Sequence, residues 1–352
     1  MQDRAIVNGG GVKRNSGIEL LRILSMLVII AHHYVVNSGV LGIIDQQNTV
    51  TSSSVFAMLF GWGGKTGINC FVLITGYFMC TSNITMRKFL KLLGEIEFYR
   101  VVIYLLFVCS GYQPFDVASF IKTILPVKDI STAFTSAYLV FFLFIPFLNI
   151  LIHGMNKKQH LKLMGLLVGV YSIWASLGFT VSFNYVTWFS VLYVIAAYIK
   201  MYPLPWFEKK NLWAILSIVS IIISWASVIA LMIVAQKTGR TLSWSYFFVN
   251  DCNKVMALIT GLCTFMFFKN LHFYSKSINA ISVTTFGVLL IHANSDVMRQ
   301  WLWKDVLNNV GIYGTDIMII HAFLAVIGIY VICTVIDMLR IKFIERKHMI
   351  VH

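Results

Sequence analysis

Charged side chains, prolines and paired cysteines are scarce in this sequence. Only 12% of its 352 residues are charged, about half the share usual in soluble globular proteins, and 58% are hydrophobic. This balance excludes a soluble domain of such a size, and with only five prolines it also excludes a disordered or collagen-like chain. The six cysteines lack CxxC spacing, so they indicate neither a disulfide framework nor a zinc site. These absences leave a polytopic membrane protein.

Long apolar runs predict an all-α bundle of about ten transmembrane helices, since one span needs about 20 residues. The predicted spans are 18–36, 63–79, 92–110, 134–152, 161–179, 186–200, 211–235, 254–268, 278–293 and 316–339. Glycines at 61–67 favour a broken or re-entrant start of the second span. We interpret 1–352 as a single membrane domain, with a cytoplasmic N-terminal segment at 1–16 and a cytoplasmic tail at 340–352.

The basic residues predict how the chain is oriented. One set of alternating loops, together with both terminal segments, carries 19 Lys and Arg, whereas the opposite loops carry seven. Because basic residues accumulate in cytoplasmic loops, both termini are expected to be cytoplasmic, in what we interpret as a bacterial plasma membrane. The same distribution accounts for the net charge of +14, so nucleic acid is not an expected partner. The loops at 37–54, 111–131, 179–185, 236–254 and 294–316 are expected outside.

Two ionisable residues share one face of the first span. Arg22 and His33 are eleven positions apart, which brings them to within about 20° of whole helical turns and separates them by roughly 16 Å. An ionisable group inside a span normally faces a cavity or a partner. A histidine satisfied by one interhelical hydrogen bond is the simple alternative, but the register with Arg22 favours function. His32 points about 100° away and is interpreted as structural.

This stretch resembles the acyltransferase-3 family, integral membrane enzymes that move acyl groups, commonly acetyl from acetyl-CoA, onto extracytoplasmic carbohydrates. Arg22, His33 and Tyr34 match the family's pattern of a basic residue, ten intervening residues, a histidine and an aromatic residue. Four further segments are similar to family elements in the same order. They are GINCFVLITGY at 67–77, MRKFLK at 86–91, LFIPFLN at 143–149 and TFGVLLIH at 285–292. Thr75 replaces the usual serine of the first, and Lys88 and Lys91 occupy the paired arginine positions of the second.

The resemblance implies a transmembrane O-acyltransferase, specifically an O-acetyltransferase that uses acetyl-CoA as co-substrate without a metal. Coenzyme A carries phosphates, for which Arg22, Arg87, Lys88 and Lys91 are the expected partners. Positive-inside anchoring is the equal alternative for the last three. His33 would act with Arg22 at the thioester, either as a general base or as an acyl carrier, since an imidazole with a pKa of about 6.5 suits both.

His292 and Tyr34 are the expected acceptor-binding residues, with a helix contact as the alternative for His292. Glu97 and Arg100, three residues apart in the third span, are expected to neutralise one another rather than to act in catalysis. The expected partners are acyl-CoA, a carbohydrate acceptor and membrane lipid, and a homo-oligomer is left open. A small-solute transporter, resembling amino-acid carriers, is the rival function, and an inactive assembly partner is the third.

Overall fold

A computed structural model describes residues 5–8, 11–128, 130, 133–182 and 184–345. The expectations for 1–4, 9–10 and 346–352 therefore lie outside the described residues. The described chain is helical apart from one antiparallel pair of short strands, β1 (Ala5–Asn8) and β2 (Gly11–Arg14), which confirms the all-α prediction.

The helices alternate with short connections along the whole described chain. In order they are α1 (Ser16–Val36), α2 (Val40–Gln47), α3 (Ser52–Gly61), α4 (Gly64–Met79), α5 (Met86–Cys109), α6 (Val117–Ile124), α7 (Phe134–His153), α8 (Lys157–Val168), α9 (Tyr185–Met201), α10 (Lys210–Thr238), α11 (Val255–Lys269), α12 (Lys276–Ser282), α13 (Thr285–His292), α14 (Asp296–Arg299), α15 (Asn309–Ile312) and α16 (Met318–Arg340). Wider π-helical turns form at Gly169–Trp174, Gln300–Val306 and Ile341–Glu345, and tighter 3₁₀ turns at Pro205–Glu208 and Leu242–Tyr246.

The helices form two compact units. The first unit comprises 1–67, 222–246 and 268–352, and the second comprises 68–221 and 247–267. The sequence analysis treated the chain as one membrane domain, and that interpretation stays a prediction.

Helix α1 is the central element of the first unit. The Asn15 side chain caps it by accepting a hydrogen bond from the Gly17 amide at 3.1 Å, and an apolar run follows. Gly17 must lack a side chain because a Cβ there would collide with the Leu271 carbonyl oxygen. The helix ends at Val36, and Gly39, with a φ of 95°, turns the chain into α2. Arg22 and His33 are thereby fixed near opposite ends of one helix.

In the first unit, loops that the basic residues assign to the same side of the membrane contact one another. At one end, the Ser16 amide donates to the Phe273 carbonyl and the Ser275 amide donates to the Ser16 hydroxyl, both at 2.8 Å. At the other end, the Ser243 amide donates to the Asp45 carboxylate at 2.7 Å. Which of these ends faces the cytoplasm stays a prediction.

Two amide side chains, one half-buried and one buried, connect the helices of the second unit. Asn149 of α7 donates to the Met79 carbonyl at 3.2 Å and accepts a hydrogen bond from the Tyr193 hydroxyl at 2.6 Å. Asn69 of α4 accepts a hydrogen bond from the Trp188 indole at 2.9 Å. In an apolar core such groups require a partner, so these contacts fix which helix faces which.

Within the described ranges, five helices are long and apolar enough to cross a membrane, or six if one bent pair is a single span. The five are Ser16–Val36, Ser52–Met79, Phe134–His153, Lys210–Thr238 and Met318–Glu345. The predicted count of ten is not confirmed. The predicted spans at 186–200 and 254–268 are helices of only 17 and 15 residues, and the one at 161–179 changes into a π-helical turn after Val168.

The glycines predicted a broken start of the second span, and a short turn at residues 62–63 does separate α3 from α4 there. Ser52–Met79 still qualifies as one candidate span. A sharper break separates Lys276–His292 from Asp296–Ile312, which meet at 92°. The glycines serve close packing: a Cβ at Gly64 would overlap the His32 ring. We call the bent pair at 276–312 the broken hairpin.

Cysteine labelling of intact cells should report the orientation of the first unit. In a Cys109→Ala background, which removes the exposed native thiol, Gln46→Cys should react with a membrane-impermeant maleimide and Lys276→Cys should not. Both positions are exposed, and they lie in loops predicted on opposite sides. Reaction at Lys276→Cys alone would reverse the predicted topology. Native Cys80 and Cys252 cannot serve for this measurement because both are buried.

Candidate active site

Two histidines from distant parts of the sequence meet at the end of α1. His33 lies in the last turn of α1, and His292 is the last residue of α13. Their Nδ1 and Nε2 atoms, respectively, are 3.0 Å apart, and the ring centroids are separated by 5.2 Å. The structure thus joins two residues that the sequence analysis named separately. It gives His292 the helix contact that was the alternative to acceptor binding.

A second hydrogen bond fixes how the protons are arranged in this pair. The Nδ1 atom of His292 lies 2.6 Å from the Val288 carbonyl oxygen, which can only accept, so His292 carries its proton on Nδ1. In the neutral ring Nε2 is then an acceptor, and His33 must donate to it from its own Nδ1. The lone pair of neutral His33 is therefore on Nε2. No hydrogen bond engages that atom within the described part of the chain.

Two cations act electrostatically on the His33 ring. They are Lys65 of α4 and Arg299 of α14, and Arg299 also pairs with Asp296 at 2.8 Å. Cations beside a reacting carbonyl stabilise the negative charge that develops on its oxygen. Sequence reasoning did not assign a role to either residue. A lysine inside an apolar run was a usable signal for Lys65, whereas nothing in the sequence associates Arg299 with His33.

Arg22 lies toward the other end of α1 and is held by a buried carboxylate. Its Nε atom is 3.6 Å from Oε2 of Glu19, and Arg14 donates to Oε1 of the same carboxylate at 2.8 Å. The Arg22 side chain remains 26% exposed while that of Glu19 is 5% exposed. Glu19 thus orients the Arg22 side chain, and part of that side chain remains open to solvent. Sequence reasoning missed Glu19, although its i,i+3 spacing to Arg22 is a recognisable signal.

His32 makes a hydrogen bond and a packing contact within the first unit. Its Nδ1 atom donates to the Gly61 carbonyl oxygen at 2.6 Å, and its ring lies directly against the backbone of Gly64. The geometry agrees with the structural interpretation of this residue.

Tyr34 is buried and points away from the histidine pair. Its hydroxyl lies 2.9 Å from Nδ1 of His321, and the Asn309 side chain donates to its carbonyl oxygen at 2.9 Å. The Trp303 ring packs edge-on against it. These contacts fasten the broken hairpin and α16 to the end of α1. Acceptor binding by Tyr34 stays a prediction that the contacts do not by themselves support.

The predicted phosphate-binding residues of the second unit lie at the start of α5. Arg87, Lys88 and Lys91 are all exposed there, and Lys88 donates to the Asn83 carbonyl at 2.7 Å. The side chain of Thr85 caps the helix just before them. Their association with Arg22 in one donor mouth stays a prediction.

Glycines of the family-like segments stand where helices come into closest contact. A Cβ at Gly76 would approach the Ala196 Cβ to 2.9 Å. A Cβ at Gly287 would overlap the carboxylate of Asp337, a fully buried residue that accepts a hydrogen bond from Arg340 at 2.7 Å. The Phe-Gly element therefore lets α13 approach α16 at a buried ion pair.

The described residues contain no group of three or more His, Cys, Asp or Glu side chains that could hold a metal ion. A family model described as an acyltransferase domain, that of the acyltransferase-3 family, matches residues 15–338, nearly the whole chain. No curated protein and no solved structure gives a significant match.

Substituting Gly287 with alanine should destabilise the protein by about 1–3 kcal/mol, because the added methyl group displaces the Asp337 carboxylate from its place beside Arg340. Thermal unfolding of the detergent-purified protein measures the effect. Gly328→Ala is the matched control, since a Cβ at that helical glycine meets nothing within 4 Å and alanine favours a helix. Equal unfolding temperatures for the two variants would contradict close packing at Gly287.

Proposed function

This chain belongs to the acyltransferase-3 family, and we propose that it moves an acetyl group from cytoplasmic acetyl-CoA to a hydroxyl of a cell-surface polysaccharide or glycolipid sugar. Family membership establishes a membrane acyltransferase; the acetyl donor and the sugar acceptor belong to the proposal. The observation that supports it best is the His33–His292 pair, which presents an imidazole nitrogen with its lone pair available.

The proposed reaction uses Nε2 of His33. This nitrogen removes the proton of the acceptor hydroxyl while the hydroxyl oxygen attacks the thioester carbonyl carbon. Negative charge then develops on the carbonyl oxygen, in the field of Lys65 and Arg299. When the carbon–sulfur bond breaks, the coenzyme A thiolate leaves and receives the proton from Nε2. The products are the acetyl ester and free coenzyme A.

An acyl-histidine route uses the same nitrogen. Nε2 of His33 would attack the thioester carbonyl carbon, and the carbon–sulfur bond would break to release coenzyme A as the thiolate and leave an acyl-imidazolium. The sugar hydroxyl oxygen would then attack the acetyl carbon, the carbon–nitrogen bond would break to restore Nε2, and the hydroxyl proton would pass to the thiolate. Both routes require His33 to be protonated on Nδ1 and unprotonated on Nε2. The hydrogen bond to His292 imposes that tautomer in either case.

His292 is on this basis a positioning residue. It does not reach the reacting atoms; it holds the His33 ring in one orientation and stabilises the positive charge that the ring carries after taking a proton. In serine proteases, an aspartate orients the catalytic histidine and stabilises its positive charge in the same way. A neutral histidine gives weaker charge stabilisation than a carboxylate but fixes the tautomer equally well.

The donor is proposed to bind along α1 from the Arg22 end. The Arg22 side chain is paired at Nε with Glu19 but remains partly exposed, and the rest of its guanidinium group is suited to a phosphate oxygen. About 16 Å along the helix separates Arg22 from His33, a distance that the flexible pantetheine arm of coenzyme A is suited to cover. Arg87, Lys88 and Lys91 are proposed as further phosphate partners on the cytoplasmic side. The proposal assumes that both termini are on that side, as the basic residues predict.

A small-solute transporter would fit the broken hairpin, since transporters bind substrates at discontinuous helices. Such carriers place broken helices in corresponding positions of two repeats. The described residues contain one bent pair, and His292, directly before its break, is hydrogen-bonded to His33 of α1. We therefore do not propose transport.

Replacing His33 with alanine should abolish acetyl transfer even at saturating acetyl-CoA. Loss of a general base or nucleophile lowers the rate by about 10²–10⁴-fold, and more donor cannot compensate. Coenzyme A release from purified, reconstituted protein with a sugar acceptor measures the effect. A correctly folded His33→Ala protein that acetylates at the parental rate would overturn the proposal.

Two matched variants separate chemistry from folding and donor binding. His32→Ala removes a neighbouring imidazole that is occupied with Gly61, so it should lower stability while retaining much of the turnover per folded molecule. Arg22→Ala should raise the apparent KM for acetyl-CoA more than it lowers kcat. Each variant must elute in size-exclusion chromatography as the parent does, because an unpaired buried group can imitate a catalytic defect.

Replacing His292 should separate positioning from packing. His292→Leu keeps the volume but removes the acceptor for the His33 Nδ1 proton, so kcat should fall by about 10–100-fold with little change in the KM for acetyl-CoA. His292→Gln, whose amide oxygen can accept the same proton, should recover part of that loss. If the glutamine and leucine variants are equally impaired at equal stability, the hydrogen bond is not the function of His292.

A further inference from the structure

The connection between α5 and α7 folds back along α5 instead of extending away from it. At its start, the Tyr104 hydroxyl donates to the Asp116 carbonyl at 3.0 Å, and the Tyr104 ring packs on Phe120 of α6. The connection was expected to be an outer loop, and its helix was not predicted from the sequence.

Arg100 fixes the far end of this connection. Its Nη1 atom donates to the carbonyls of Leu125 and Pro126, at 2.7 and 3.1 Å, and forms an ion pair with Glu97 at 3.1 Å. The pairing of Glu97 with Arg100 confirms the expectation that they neutralise one another. Arg100 lies nine residues, or about 14 Å, before the end of α5.

The outward surface of α6 is divided into two stripes. Val117, Ile121 and Ile124, at i, i+4 and i+7, form an exposed apolar stripe that Phe115 and Leu125 extend. Ala118, Ser119 and Lys122 form an exposed stripe on the other side of the helix. We call these the apolar stripe and the polar stripe of α6.

The satisfied carbonyls of Leu125 and Pro126 are compatible with an apolar medium around the apolar stripe. A loop in water needs no protein donor for its carbonyls, whereas irregular backbone in contact with hydrocarbon must have every polar group paired. Arg100 provides that pairing for the two residues that follow α6. Lys122 on the polar stripe is suited to contact lipid phosphates.

We propose that α6, with its flanking residues 115 and 125, is an interfacial helix whose apolar stripe lies among lipid acyl chains and whose polar stripe faces the headgroups and water. Amphipathic interfacial helices bury their apolar face to a depth of about 5–10 Å, and we expect the same of the apolar stripe. Arg100 anchors the inner end of the segment to α5. The proposal does not depend on the proposed acetyl transfer.

Site-directed fluorescence in lipid vesicles tests the orientation. Ile121→Cys and, as the matched control on the polar stripe, Ser119→Cys are each made in the full-length Cys109→Ala protein, whose other five cysteines are buried. Both are labelled with bimane and reconstituted in phosphatidylcholine and phosphatidylglycerol vesicles. Lipid brominated near the headgroup should quench the Ile121→Cys label at least about twofold more than the Ser119→Cys label, and aqueous iodide should show the opposite order.

A double substitution tests whether Arg100 anchors the segment to α5. Replacing both Glu97 and Arg100 with glutamine removes the two charges together, so no buried charge is left alone, and it should increase iodide quenching at Ile121→Cys because the carbonyl contacts weaken. Unchanged iodide quenching would contradict anchoring by Arg100. Equal lipid quenching at both labelled positions would contradict the division into stripes. If iodide quenches the Ile121→Cys and Ser119→Cys labels equally, the apolar stripe lies in water. If two Ile121→Cys chains form a disulfide and lipid does not quench the label, the stripe contacts a second copy of the protein. Either result overturns the proposal.

Discussion

The hydrogen bond between His33 and His292 depends on helices that approach one another more closely than ordinary side chains permit. In a membrane, helices gain little from hydrophobic burial, so close packing and interhelical hydrogen bonds hold them together. Gly64 admits the His32 ring beside His33, and Gly287 brings α13 against α16 at Asp337. The position of His292 thus follows from where glycines stand on neighbouring helices, and the geometry of the imidazole pair follows from that position.

Local periodicity predicted the parts of this site that belong to one helix. The first span was placed at 18–36 and is Ser16–Val36, and the register between Arg22 and His33 follows from helix geometry. The family-like segment ending at His292 supplied the second histidine. Its contact with His33 was not readable, because the two residues are 259 positions apart and no local rule relates them. The electrostatic effect of Arg299 on His33 was unpredictable for the same reason.

Hydropathy was a poorer guide to the number of spans. Apolar composition does not distinguish a helix that crosses a bilayer from a shorter helix buried among others, so crossing by Tyr185–Met201 and Val255–Lys269 stays a prediction. The glycines before Thr66 marked the turn between α3 and α4, and they also serve packing. The sharper break between α13 and α14 has no proline or glycine, and α6 was missed because its eight residues are shorter than a reliable periodic signal.

The contact between Tyr34 and His321 has a consequence for how related sequences can diverge. The Tyr34 hydroxyl is buried with His321 as its hydrogen-bond partner, so a change to an apolar residue at position 321 alone leaves that hydroxyl orphaned. Replacing both with apolar residues of similar shape leaves no buried polar group to satisfy. A tyrosine at position 34 should therefore be inherited together with a hydrogen-bonding residue at position 321. Evolution can then alter how the broken hairpin is fastened to α1 without touching the imidazoles beside it.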